Sequence, residues 1–81
     1  MVIAMDLTFG EKLKLLREEL DLNQTDLGSV VHMTQRKISY LENGKYEPSM
    51  DDLKVLCSYF NISADYFLGF PKNLPYPKKK V

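Results

Sequence analysis

An all-α bundle of five short helices is the fold class that this 81-residue sequence predicts, on three observations. Capping residues recur at helix starts: Thr8 with Glu11, Asn23 with Asp26, Ser49 with Asp52, and Thr34 and Ser63 without an acidic follower. The side chain of such a residue accepts a hydrogen bond from a free backbone N–H of the first turn, and an acidic residue three positions on accepts one in return. Apolar residues succeed each cap at spacings of three and four, the period of a helix with one buried stripe. No stretch of convincing length alternates apolar and polar residues as a half-buried strand does.

Taken in order, the first helix starts at Thr8 and carries Phe9, Leu13, Leu16 and Leu20 as its core stripe. The second comes after Asn23, with Leu27, Val30 and Val31 on one face, and the third after Thr34, with Ile38 and Leu41. Each has about two turns, and isolated helices of fewer than roughly 12 residues are marginal in water, so the two must pack on each other and on their neighbours. The break between them is too brief for a loop. Pro48 and Ser49 open the fourth helix, whose buried face is Leu53, Leu56, Cys57 and Phe60. Ser63 caps a short fifth helix holding Ala64, Phe67 and Leu68. Asp21, His32 and Asn61 stand just past helix ends, where a left-handed backbone is common and these residues tolerate it best after glycine. Gly44 and Gly69 end the third and fifth helices, and Gly28 allows a close approach of the second and third.

The domain plan is an N-terminal extension over 1–7, one domain over 8–69 and a tail over 70–81. The tail holds three prolines and four lysines and reads as extended or disordered, with Lys78, Lys79 and Lys80 offering weak nonspecific attraction to nucleic acid. Hydrophobic content of 44% and charged content of 27% are those of an ordinary globular protein. Cys57 is the single cysteine, so no internal disulfide and no Cys-rich metal site is expected, and a reducing, cytoplasmic setting is the simpler reading. The apolar start, interrupted by Asp6, reads neither as a signal peptide nor as a membrane span. Eleven basic and eleven acidic residues cancel, but unevenly. From Thr34 to Lys45 there are three basic residues (Arg36, Lys37, Lys45) against Glu42; from Pro48 to Gly69 there are three acidic (Asp51, Asp52, Asp65) against Lys54. The third helix and the residues just after it are positive, which suits a nucleic-acid partner better than the zero sum suggests.

The stretch from Leu22 to Gly44 resembles the helix-turn-helix of the Cro and phage-repressor family, whose loose pattern is L-T-Q-x-x-L-A-x-x-x-G-V-S-x-x-x-I-S-x-x-E-N-G. Leu22, Gln24, Leu27, Ile38, Ser39, Glu42, Asn43 and Gly44 match it without a gap, and Asn23 and Thr34 fill the cap positions with other suitable residues. Asp21, His32 and Asn61 stand where the family usually has Gly, and Gly28 where it prefers Ala. The likeness covers about Phe9 to Gly69. It implies a five-helix lambda-repressor-like DNA-binding domain acting as a sequence-specific transcriptional regulator, most often a repressor that binds a palindromic operator as a homodimer. Recognition helices in such dimers lie about 34–36 Å apart.

On that resemblance Gln35 and Arg36 hold the family's base-reading positions, and Gln and Arg suit adenine and guanine edges respectively. Ser39 and Tyr40 are further base-reading candidates. Asn23 and Gln24 at the start of the second helix, Lys37, and Asn43, Lys45 and Tyr46 after the third are the expected phosphate contacts. Arg17 and Glu42 match a pair that forms a salt bridge in some phage repressors. Tyr66, Phe67 and Phe70 supply aromatic area for self-association. A second reading stays open: such a helix-turn-helix also serves in antitoxins, whose partners include a protein toxin. No nucleophile–base pair, phosphate loop or metal cluster suggests an enzyme, and no cofactor is implied. His32 and Cys57 read as a turn residue and a core residue.

Overall fold

The computed structural model describes residues 7–68, which form five helices and no strand: α1 Phe9–Glu19, α2 Gln24–Val31, α3 Gln35–Glu42, α4 Met50–Phe60 and α5 Ala64–Leu68. The expected caps are the ones that form. Reciprocal boxes close at Thr8 and Glu11, Asn23 and Asp26, and Ser49 and Asp52, while the hydroxyls of Thr34 and Ser63 accept from the amides of Lys37 and Tyr66. The N-terminal extension is described only at Leu7; Gly69, Phe70 and the tail lie outside the described residues. Among the described residues no helix is long and apolar enough to cross a membrane.

The first four helices share one terminator. The amides of Leu22, Met33, Lys45 and Ile62 each return to the carbonyl five residues back, on Arg17, Gly28, Tyr40 and Cys57, at 2.8–3.2 Å. This wrap requires a left-handed residue between, and Asp21 (φ 58°), His32 (φ 61°), Gly44 (φ 78°) and Asn61 (φ 58°) supply it. Three of the four are not glycine, and each bears part of the roughly 1–2 kcal/mol that a left-handed backbone costs an L-residue.

Leu13, Leu27, Val31, Ile38, Leu41, Leu56 and Phe67 make the core, with Phe9, Leu16, Leu22, Met33, Cys57, Phe60 and Ile62 packed around it. Several expectations need correction. Leu20 comes just after the last residue of α1 and is 51% exposed; Val30 lies on the outer side of α2 and is 48% exposed. Cys57 and Phe60 are half-buried rather than buried. Phe67 is fully buried, its ring 4.8 Å from that of Phe9 and 6.4 Å from that of Phe60. It belongs to the core and has no surface to offer a partner.

Two features of α1 escape a reading by stripes. Lys12, 1% exposed, runs its stem through the core and donates from Nζ to the carbonyl of Tyr66 at 2.7 Å, with the Tyr66 ring centroid 5.0 Å away. An ammonium at the end of a helix satisfies one of its orphan carbonyls. Gly10 is needed for contact: a Cβ there would lie 2.3 Å from the carbonyl oxygen of Glu42 and 2.5 Å from that of Leu41, so α1 rests directly on the end of α3.

Arg17 and Glu42 do form the expected bridge. Nε and Nη2 of Arg17 donate to Oε2 and Oε1 of Glu42 at 2.7 and 3.1 Å, and Nη1 donates to the Leu22 carbonyl at 2.8 Å. Both residues are buried, and hydrogen bonding to the carboxylate raises the Arg17 pKa further above its ordinary value, against the opposing effect of burial. Removing one partner of such a pair leaves the other charge buried alone, so Arg17→Met should destabilise by about 3–5 kcal/mol. Arg17→Met with Glu42→Leu should cost much less than the two single changes added together. Urea unfolding of the three variants gives the coupling; strictly additive losses would mean that the two charges do not depend on each other.

Candidate nucleic-acid interface

The turn between α2 and α3 has three residues, His32, Met33 and Thr34. It is tight because Gly28 has no side chain: a Cβ there would meet the Met33 carbonyl oxygen at 2.3 Å. The left-handed His32 turns the chain and Thr34 starts the next helix. Ile38, Leu41 and Glu42 then face inward. Arg36, Ser39, Tyr40 and Asn43 fall at the helical spacing of the opposite face and Gln35 at its edge, about two turns before Glu42, with Gln35, Arg36 and Asn43 exposed and Ser39 and Tyr40 half-buried.

The start of α3 differs electrically from the other helix starts. Glu11, Asp26, Asp51 with Asp52, and Asp65 stand in the first turns of α1, α2, α4 and α5; α3 has no acidic residue there. Its third residue is Lys37 where the boxes have an acceptor, so the positive end of the α3 dipole is left uncompensated beside Arg36.

Lys37, an expected phosphate contact, makes an ion pair within the domain. Its ammonium is held by Asp52 Oδ1 at 2.9 Å, turned toward the start of α4 instead of outward with Arg36. The other oxygen of Asp52 accepts from the Ser49 amide at 3.0 Å. Burial pushes the Asp52 carboxyl up, but the hydrogen bonds from Lys37 and from the Ser49 amide and hydroxyl outweigh it, and its pKa lies below the ordinary value.

The residues after α3 form one small cluster. Lys45 Nζ lies 5.6 Å from the Tyr40 ring centroid, and the Tyr46 ring meets the Tyr40 ring edge-on at 5.0 Å. Asn43 donates from its side-chain amide to Ser39 Oγ at 3.3 Å. So Ser39, Tyr40, Asn43, Lys45 and Tyr46 are brought together at the far end of the face that Gln35 and Arg36 begin. At the near end, Gln24 donates to Glu42 Oε1 at 3.0 Å and accepts from Gln35 Nε2 at 2.7 Å. This link between α2 and α3 was not legible as a spacing, because its members stand eleven and eighteen residues apart on separate helices. Asn23 caps α2 at the same end. Tyr66 is partly exposed on α5, away from Phe67 in the core.

Among the described residues no group of three or more His, Cys, Asp or Glu side chains could hold a metal ion. Burial pushes the Cys57 thiol pKa up, which disfavours a reactive thiolate.

A helix-turn-helix family model matches residues 13–67. The chain is 34% identical over 61 residues to the HTH-type transcriptional activator BcrR of Enterococcus faecalis, covering 75% of this chain and 30% of that protein. It is 31% identical over 65 residues to the antitoxin PezA of Streptococcus pneumoniae, covering 80% and 41%. The chain therefore spans less than half the length of these curated relatives. Among solved structures, the P22 c2 repressor in complex with a synthetic operator is 31% identical with a TM-score of 0.72, over 76% of this chain and 94% of that one.

A carboxylate whose pKa is depressed in the folded protein stabilises the fold above its unfolded pKa, and that contribution fades as pH falls through the folded value. Asp52 should therefore make the fold acid-sensitive below about pH 4, the ordinary range of an aspartate. Asp52→Asn should flatten the dependence of the unfolding midpoint on pH there, relative to wild type. An unchanged slope in denaturation measured across that range would remove Asp52 from the account.

Proposed function

This chain belongs to the helix-turn-helix family of transcription regulators of the Cro and phage-repressor type, and from that premise we propose that it represses transcription by binding a palindromic operator as a homodimer. The observation that carries the proposal is the outward face of α3. It combines an uncompensated helix start, an arginine without a partner among the described residues, and polar side chains at one helical spacing, on a helix anchored from behind by buried residues.

In the proposed complex, Gln35 and Arg36 read base edges in the major groove, with Ser39 and Tyr40 beside them. Asn23 and Gln24 at the start of α2, and Asn43, Lys45 and Tyr46 after α3, meet phosphates and set the register. Lys37 is left out, its charge being engaged by Asp52. Tyr66, partly exposed, is the part of the expected self-association surface that remains on α5. The P22 c2 repressor, to which the chain is similar, is solved on an operator, which supports double-stranded DNA as the partner. The setting is cytoplasmic. The similarity to an antitoxin favours one second reading, in which the same domain also serves a chain that binds a protein toxin.

Arg36 presents a planar fork of donors, whereas Lys45 presents a point charge beyond the helix. Arg36→Ala should lose roughly 1–3 kcal/mol on the operator and relax preference at one base pair, with little loss on random DNA. Lys45→Ala should weaken both DNAs about equally and lower the salt slope by about one unit. Titrations against operator and scrambled duplexes at several salt concentrations separate the two; equal losses for Arg36→Ala on both DNAs would make it a phosphate contact.

Light scattering of the saturated complex should give two chains per operator. One chain per operator would exclude the homodimer.

A further inference from the structure

The end of α3 differs from the ends of α1, α2 and α4 in the side chain that closes it. In the wrap these helices share, the residue just after the left-handed one commonly makes an apolar contact with the residue whose carbonyl its amide reaches. At α1, α2 and α4 that residue is Leu22, Met33 and Ile62, each packed against the core. At α3 it is Lys45, and the residue it returns to is Tyr40. The contact there is an ammonium over an aromatic face, with Lys45 Nζ 5.6 Å from the ring centroid. Tyr40 holds the same segment in two further ways. Its carbonyl accepts from the amides of both Lys45 and Tyr46, at 2.9 and 3.3 Å. Its ring is met by that of Tyr46 at 82°, with the centroids 5.0 Å apart, which sets the plane that Lys45 lies over. Lys45 is exposed, and among the described residues it makes no salt bridge.

We propose that Tyr40 is a positioning residue for a phosphate contact: its ring holds the ammonium of Lys45 at the end of α3, ready for the DNA backbone. This takes Tyr40 out of the base-reading set. The proposal rests on the reading of Lys45 as a phosphate contact. A lysine loses more rotamer freedom than most side chains when a ligand fixes it. Here part of that loss is already taken in the free protein, because the aromatic face attracts the ammonium on one side and leaves the other to solvent. The attraction comes from the ring quadrupole and does not need the phenol hydroxyl. Phosphate contacts carry no sequence information of their own. Tyr40 therefore strengthens binding to any duplex, and the choice of bases is left to Gln35, Arg36 and Ser39.

The test is titration of the full chain and its variants against operator and scrambled duplexes at one salt concentration. Tyr40→Leu should weaken both duplexes alike, by about two- to fivefold, the range of an exposed cation–π contact. Tyr40→Phe keeps the ring and should match wild type on both. In the Lys45→Ala background, Tyr40→Leu should add less than about twofold, the scatter of such cycles. A merely structural role for Tyr40 predicts instead that its loss is felt equally with Lys45 present or absent. In the free protein, ring-current shielding should move the ε-methylene protons of Lys45 upfield in wild type and Tyr40→Phe, and Tyr40→Leu should lose that shift. The spectra of wild type and Tyr40→Phe decide the matter even where Tyr40→Leu does not fold. Unshifted ε-protons in wild type would overturn the pairing. A changed preference at one base pair in Tyr40→Phe, or an equal loss from Tyr40→Leu in both backgrounds, would overturn the positioning role while leaving Lys45 on a phosphate. If Lys45→Ala binds both duplexes as wild type does, Lys45 is no phosphate contact and the proposal falls with that reading.

Discussion

The buried pair of Arg17 and Glu42 is the constraint on which the arrangement of the first three helices depends. Two charges in a small core are tolerated only when their hydrogen-bonding capacity is met. Here the guanidinium spends Nε and Nη2 on the carboxylate and Nη1 on the Leu22 carbonyl, in the connection between α1 and α2. The carboxylate accepts from Gln24 as well, at the start of α2. Misplacing any of the three helices would break at least one of these bonds and strand a charge. Gly10 makes the geometry reachable, because any side chain there would collide with the backbone of Glu42 itself. The orientation of α3 is thus set from behind.

The same economy of partners resolves the neutral net charge. A chain with eleven charges of each sign is not basic, yet its charges are not used alike. Glu42 and Asp52, which would oppose a polyanion near α3, are turned inward against Arg17 and Lys37. What remains on the outward face is Arg36, Lys45 and the uncompensated start of α3. Local field, more than total charge, governs attraction to a phosphate backbone.

How much of this can be seen in the letters depends on which forces are local. Caps, stops and periodicity act within a turn or two, so Thr8, Asn23, Thr34, Ser49 and Ser63, together with Asp21, His32, Gly44 and Asn61, announced every helix and most of its ends. The outer limits of a stripe were less legible: Leu20 and Val30 keep the period but fall beyond the reach of the core in a bundle this small. The same competition for limited core draws in Phe67, which as a letter on a short terminal helix is equally suited to a surface. Lys12 was legible in principle, standing three residues after Phe9 and four before Leu16, on the apolar face. Its charge argued the other way, and only the carbonyl of Tyr66 explains it. The ion pair of Lys37 with Asp52 and the hydrogen-bonded link through Gln24 depend on how separate helices cross, which no spacing encodes. Only the family pattern distinguishes the residues on the outward face of α3; their composition alone is that of any solvated helix face.

Lys12 also bears on how α3 and α5 are joined. Through Gly10 and Arg17, α1 holds α3; through Phe9 and the ammonium of Lys12, it holds α5. One helix therefore fixes the relation between the outward face of α3 and the helix that carries Tyr66. A two-fold dimer can place two recognition helices one turn of the duplex apart only if that relation is constant in both subunits. A five-residue helix has little stability of its own, and its position must come from tertiary contacts. An interior hydrogen bond from a buried ammonium serves that purpose better than another apolar contact, because it is satisfied in one register only. A slip of α5 by one residue would still bury Phe67 in part, but it would take the Tyr66 carbonyl away from Lys12 and leave the ammonium in the core without its acceptor.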